Sequence, residues 1–85
     1  MTQILSMEIY RTKVININKK QYTIRFAVNK DESAYTMFVS NDVNRKQTKY
    51  NFTKQVANDF NQITGEDLER LVMDFIKSDI EKGII

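Results

Sequence analysis

The sequence predicts an α+β domain in which a three-stranded antiparallel sheet is followed by a short helix and a longer C-terminal helix, packed as a two-layer sandwich. The first half alternates apolar and polar residues with a period of two, as strands with one buried face do. The last third repeats apolar residues at steps of three and four, the spacing of an amphipathic helix. With 85 residues, residues 1–85 are expected to form a single domain.

Three runs of the sequence have strand character. The most regular covers residues 21–29, where every second residue is apolar, and residues 34–40 alternate in the same way. The polar residues 29–33 between them have the composition of a turn. An earlier run, residues 7–18, is rich in β-forming residues and ends in a polar segment of hairpin length, residues 18–20. These three strands are expected to pair as a meander.

The phases of these strands predict which residues face the helices. In the first run, one phase holds Met7, Ile9, Ile15 and Ile17, and the other holds Tyr10 and Val14. Together with the apolar stripe of the C-terminal helix, the phases predict a core of Ile15, Ile17, Tyr22, Ile24, Phe26, Val28, Met37, Val39, Leu68, Leu71, Val72, Phe75 and Ile76. The open face of the sheet is expected to carry Thr12, Thr23 and Arg25.

The C-terminal helix is predicted from Thr64 onward. Thr64 and Asp67 have the spacing of a capping box, in which each side chain bonds the other residue's amide. Gly83 suits the left-handed position after the last turn, from which Ile84 would fold back toward Ile80.

The region between the third strand and this helix fits two patterns. Its apolar residues, Phe52, Val56, Ala57, Phe60 and Ile63, form a helical stripe. This stripe favours a short helix from about Thr53 to Ile63, capped by Asn51 or Thr53. A fourth strand over residues 49–56 is the alternative, because Tyr50, Phe52 and Val56 also fit an alternating pattern.

The composition argues against most enzymatic chemistry. The chain has no Cys and no His, which removes thiolate chemistry, disulfides and the usual zinc ligands. Its two glycines, Gly65 and Gly83, lie at predicted helix ends rather than in a phosphate-binding loop. We therefore expect a protein that is not an enzyme, with no catalytic residue, metal site or cofactor.

The apolar runs are short. None approaches the roughly 20 residues of a membrane-spanning helix. The first ten residues have neither the basic region nor the apolar segment of a signal peptide. The sequence therefore predicts a cytoplasmic protein that does not bind membranes.

Charge is unevenly distributed along the chain. Residues 1–57 carry a net charge of +6 and residues 58–85 a net charge of −4, which together give the formal total of +2. Such a split orients a charged partner even when the total is small. The partner-binding residues are expected in both parts: Arg45, Lys46, Lys49 and Tyr50 in a basic loop beside the sheet, and Glu66, Glu69 and Asp74 on an acidic helix face.

The size, composition and element order resemble those of phage or mobile-element proteins that bind and block a host factor, anti-CRISPR proteins among them. Ten Ile, nine Lys and eight Asn are typical of an AT-rich genome. The resemblance implies a stoichiometric inhibitor that docks on a host protein through charge-complementary surfaces. The alternative is a nucleic-acid-binding accessory protein that uses the basic loop Asn44–Lys54 and the first hairpin. Self-association as a homo-oligomer is compatible with the small core of such a domain.

Overall fold

Four strands and two helices make up the computed structural model, which describes residues 7–85. The strands are β1 (Met7–Ile17), β2 (Lys20–Asn29), β3 (Ala34–Asn41) and β4 (Gln47–Thr53), and the helices are α1 (Lys54–Thr64) and α2 (Leu68–Glu81). The strands are antiparallel neighbours in the order β1-β2-β3-β4, so the sheet is a meander. The predicted α+β class is confirmed. The sheet has four strands, one more than predicted.

The additional strand, β4, lies in the region that fitted two patterns. Its pairing with β3 sets Tyr50 opposite Met37, and both Tyr50 and Phe52 pack against the core. α1 begins immediately afterwards, because the Thr53 side chain accepts a hydrogen bond from the Val56 amide. The strand and the helix therefore both occur, one directly after the other.

A β-bulge changes the phase of β1. The register with β2 shifts between Ile9 and Arg11, so that Ile9 pairs with Ala27 and Arg11 pairs with Phe26. The extra residue, Tyr10, lies near the Phe26 ring on the same side as Arg11. Because of the bulge, two consecutive side chains face the helices and Ile9 faces away from them. Alternation along the sequence had placed Ile9 in phase with the core residues of β1.

One hydrophobic core lies between the sheet and α2. Its buried side chains are Tyr22, Ile24, Phe26, Met37, Val39, Leu68, Val72, Met73, Ile76, Ile80 and Ile85. Most of the predicted core is confirmed, and Ile15, Ile17 and Leu71 pack against it while partly buried. The prediction for Phe75 is wrong, since this side chain is 55% exposed. Met73 is buried in its place.

A short turn separates the two helices. Gly65 ends α1 with a left-handed φ of 73°, a conformation that costs glycine little. The cap of α2 is Asp67, whose carboxylate accepts a hydrogen bond from the Glu69 amide. The predicted capping box is therefore wrong, because Thr64 is the last residue of α1 rather than the N-cap of α2.

The end of α2 follows the predicted pattern with one change. Gly83 has a left-handed φ of 77°. Its amide donates to the Ile80 carbonyl, and the Ile84 amide donates to the Asp79 carbonyl, which completes the last turn. The residue that returns to the core is Ile85, 5% exposed, whereas Ile84 is 61% exposed.

Candidate functional site

The open face of the sheet is the side that turns away from the core. Side chains alternate along β2 and β3, so Ile24 faces the core and Arg25 faces outward. The register aligns one outward row across all four strands: Thr12, Arg25, Phe38 and Lys49. Residues of both helices pack against the core on the opposite side.

Large apolar side chains are exposed on this open face. Ile9 is 51% exposed, Val14 is 53% exposed and Phe38 is 37% exposed. The register places Phe38 between Arg25 and Lys49. The solvated face of an antiparallel sheet is normally polar, whereas contact surfaces combine aromatic residues with Arg. The open face therefore has the composition of a contact surface.

Hydrogen bonds hold the polar part of the open face in place. The Thr36 hydroxyl donates to the Asn51 side chain at 2.7 Å, and the Thr23 hydroxyl donates to the Asp42 carboxylate at 2.6 Å. Thr23 lies on this face as predicted, although neighbouring side chains bury it. The hydrogen bonds from Thr23 and then Gln21 hold the pKa of Asp42 below its usual range, because they stabilise the ionised form.

Four basic residues lie at one end of the sheet. Arg45 and Lys46 belong to the β3–β4 loop, and Lys19 and Lys20 lie at the β1–β2 turn at the same end. Lys49, the next basic residue along β4, is on the open face. The positive charge predicted for this loop therefore continues onto the open face.

Tyr50 lies on the opposite side of the sheet from Lys49. Successive residues of a strand face opposite sides, and Tyr50 faces the core. Its hydroxyl donates a hydrogen bond of 2.6 Å to Asp79 on α2. Burial and this hydrogen bond raise the pKa of Tyr50. The structure therefore does not bring its ring together with the basic loop residues, and Tyr50 links β4 to α2.

The acidic residues predicted as one helix face are also separated. Glu66 lies in the turn before α2, whereas Glu69 is in the first turn of the helix. Asp74 is exposed, five positions beyond Glu69, which corresponds to a rotation of about 140° around the helix axis. These three carboxylates therefore do not form one surface.

Glu69 contacts the bulge of β1. The Arg11 guanidinium forms an ion pair with one carboxylate oxygen of Glu69, and the Tyr10 hydroxyl donates to the other oxygen at 3.3 Å. The same guanidinium lies 4.1 Å from the centre of the Phe26 ring. Burial, followed by the charge of Glu69, raises the pKa of Tyr10. The bulge thus supplies two neighbouring side chains that hold the start of α2 on the sheet.

A cleft of about 950 Å³ opens between the helices and the end of the sheet opposite the basic residues. Three rings line it: Tyr35 and Phe52 are stacked with centroids 5.5 Å apart, and Tyr10 meets Tyr35 edge-on at 6.4 Å. Its charged lining residues are Glu8, Glu32, Asp67, Glu69, Lys30 and Lys54. The cleft therefore combines aromatic walls with a largely acidic rim.

Neither Phe38 nor the cleft was among the contact sites predicted from the sequence, and the two differ in how visible they are there. Phe38 alternates with the core residues Met37 and Val39, so a local signal for its outward position existed. The cleft is assembled from residues of all four strands, of α1 and of the start of α2, together with the β2–β3 turn. No local pattern marks such a site.

The described part of the chain contains neither a metal centre nor a membrane-spanning helix. Within residues 7–85, no group of three or more carboxylates is placed to hold a metal ion. Over the same residues, both helices lack the length and the apolar composition of a membrane-spanning helix. No known protein family, characterised protein or solved structure matches the chain.

Proposed function

We propose that the chain is a small binding protein without catalytic activity, which docks on a partner protein through the open face of its sheet and thereby blocks or modulates it. The observation that carries this proposal is the exposure of Ile9, Val14 and Phe38 on a face that also presents Arg25 and Lys49. Buried aromatic and Arg side chains supply most of the binding energy at protein interfaces.

The charge of this face predicts the character of the partner. Arg25 and Lys49 flank Phe38, and Arg45 and Lys46 lie at the adjoining end of the sheet. A partner surface with an apolar pocket and acidic residues around it would complement this arrangement. The resemblance in size and composition to phage and mobile-element inhibitors favours a host protein of the cytoplasm as that partner.

A second candidate function is binding of single-stranded nucleic acid. The Phe38 ring with a cation on each side matches the stacking platforms that bind bases while basic groups track the phosphates. The basic end of the sheet, with Lys19 and Arg45, would extend the path for the backbone.

The test compares tagged variants in their capture of a partner from host lysate. Phe38→Glu places a carboxylate at the centre of the open face, and Phe75→Glu is the matched control, because Phe75 is 55% exposed on α2. Loss of a central interface residue costs roughly 2 kcal/mol or more, about thirtyfold in affinity. We expect one stoichiometric partner with the wild type and the control, and little of it with Phe38→Glu.

Three other results would each contradict docking of a partner protein through the open face. Equal recovery with Phe38→Glu and wild type would rule out docking through the open face. Binding of a fluorescent single-stranded DNA of 20 nucleotides that weakens with salt and with Phe38→Glu would assign the face to nucleic acid. A wild-type dimer that Phe38→Glu makes monomeric would assign it to self-association. Circular dichroism of each variant would verify that the fold is retained.

A further inference from the structure

The cleft on the core side of the sheet is separate from the open face. Tyr10 is 48% exposed, and Tyr35 and Phe52 are partly buried, so the rings that line the cleft retain accessible surface. A volume of about 950 Å³ lies within the range of ligand sites, roughly 300–1,000 Å³. The cleft therefore has the size and the aromatic lining of a binding site that the open face does not use.

The charge of the rim limits what the cleft can bind. Four carboxylates and two Lys line it, and Arg11 already pairs with Glu69. Within residues 7–85, that is the one ion pair formed, so Glu8, Glu32 and Asp67 have no cation from those residues at pairing distance. Among these described residues, three carboxylates against two ammonium groups leave a net charge of −1. The rim thus favours a ligand with a single positive charge.

Elsewhere in the chain, an arginine already contacts an aromatic ring and a carboxylate at the same time. Next to the cleft, the Arg11 guanidinium lies over the Phe26 ring while a carboxylate of Glu69 pairs with it. Guanidinium groups stack on aromatic faces and pair with carboxylates more readily than ammonium groups do. The cleft offers the same two components, accessible rings and carboxylates that pair with no cation of residues 7–85.

We propose that the cleft receives one arginine side chain from an extended segment of a partner protein. The guanidinium would lie against the rings of Tyr35 and Phe52, with the lining carboxylates Glu8 and Glu32 as a source of negative charge. This contact is additional to docking through the open face and involves the opposite side of the sheet.

The experiment titrates the ¹⁵N-labelled full chain with the capped pentapeptide Gly-Gly-Arg-Gly-Gly and follows amide shifts by NMR. The matched probes carry citrulline, a neutral analogue of arginine, or leucine at the central position. We expect shifts at Ala57 and Asn58, which line the cleft, and an affinity for the arginine peptide about fivefold or more above that for either probe.

Two variants and one control locate the binding. Glu32→Gln and Tyr35→Leu are each expected to weaken arginine-peptide binding by roughly threefold to fivefold. Phe38→Leu, on the open face, should leave it unchanged. Since Glu32 is exposed, its variant tests the proposal even if Tyr35→Leu lowers stability.

Three results would overturn the proposal. Equal affinity for the arginine and citrulline peptides would show that the positive charge of the guanidinium does not contribute to binding. Equal or tighter binding of the leucine peptide would assign the cleft to an apolar segment. Loss of binding in Phe38→Leu would place the peptide on the open face and so remove the cleft as its site, whereas docking of the partner protein through the open face would still stand.

Discussion

Replacing Tyr50 by Phe tests whether this residue holds the fold together rather than contacting a partner. The substitution removes only the hydroxyl, which donates a 2.6 Å hydrogen bond to the carboxylate of Asp79. Hydrogen bonds to charged groups contribute roughly 1.5–3 kcal/mol to stability. Because this pair is only partly buried, water can replace the lost partner. We expect a loss of about 1.5 kcal/mol, at the lower end of that range.

The assay is thermal and urea unfolding followed by circular dichroism. For a domain of this size, a loss of 1 kcal/mol lowers Tm by about 4–8 °C, so Tyr50→Phe should lower it by about 6–12 °C. A double-mutant cycle with Asp79→Ala isolates the interaction, because most of the loss should disappear once the acceptor of the hydrogen bond has been removed.

The same bond has a signature in pH. The raised pKa of folded Tyr50 means that this residue contributes its full stabilisation below about pH 10, the ordinary value for tyrosine. As the pH rises above 10, the unfolded chain loses this proton first, so the wild type should lose stability relative to Tyr50→Phe. If Tyr50→Phe were as stable as the wild type at pH 7, and the effects in the cycle were additive, the bond to Asp79 would contribute nothing to stability.

Two further substitutions probe the β3–β4 loop. Asn41, 1% exposed, accepts hydrogen bonds from the amides of Val43 and Asn44, so Asn41→Ala should lower the free energy of unfolding by about 2–3 kcal/mol in urea titrations. A loss below about 1 kcal/mol would contradict this assignment. Thr23→Val removes the hydrogen bond that lowers the pKa of Asp42 most, so the pKa of this carboxyl group, measured by NMR, should rise. A depressed pKa contributes stability that is lost on acidification. The variant should therefore lose less stability between pH 5 and acid pH than the wild type does. An unchanged Asp42 titration would exclude the hydrogen bond from Thr23 as its cause.

The sheet and α2 could be predicted because their signals are local. Alternation identified β2 and β3 almost to the residue, and the polar segment before β2 matched a hairpin turn, in which Asn18 and Lys19 have positive φ. The phase of β1 could not be predicted in this way. The bulge at Tyr10 is defined by pairing with β2, and the sequence around it contains no glycine to mark it.

The candidate site was predictable only in part. Alternation placed Arg25 outward, as the structure has it, whereas Lys49 was expected in a loop and lies on β4. Tyr50 was misplaced because a loop was expected where β4 forms, and only within a strand do adjacent residues face opposite sides. The cleft depends on how the helices pack on the sheet, which periodicity within one element does not report.

The loose packing of α1 has a consequence for the cleft. No side chain of α1 is fully buried, and Val56 and Ile63 are 52% and 84% exposed. Opening such a helix removes few apolar contacts, so its local unfolding requires much less free energy than unfolding of the whole domain. Because Ala57 and Asn58 line the cleft, fluctuations of α1 would change the width of the cleft while the sheet, held to α2 by Tyr50 and the bulge, keeps its shape.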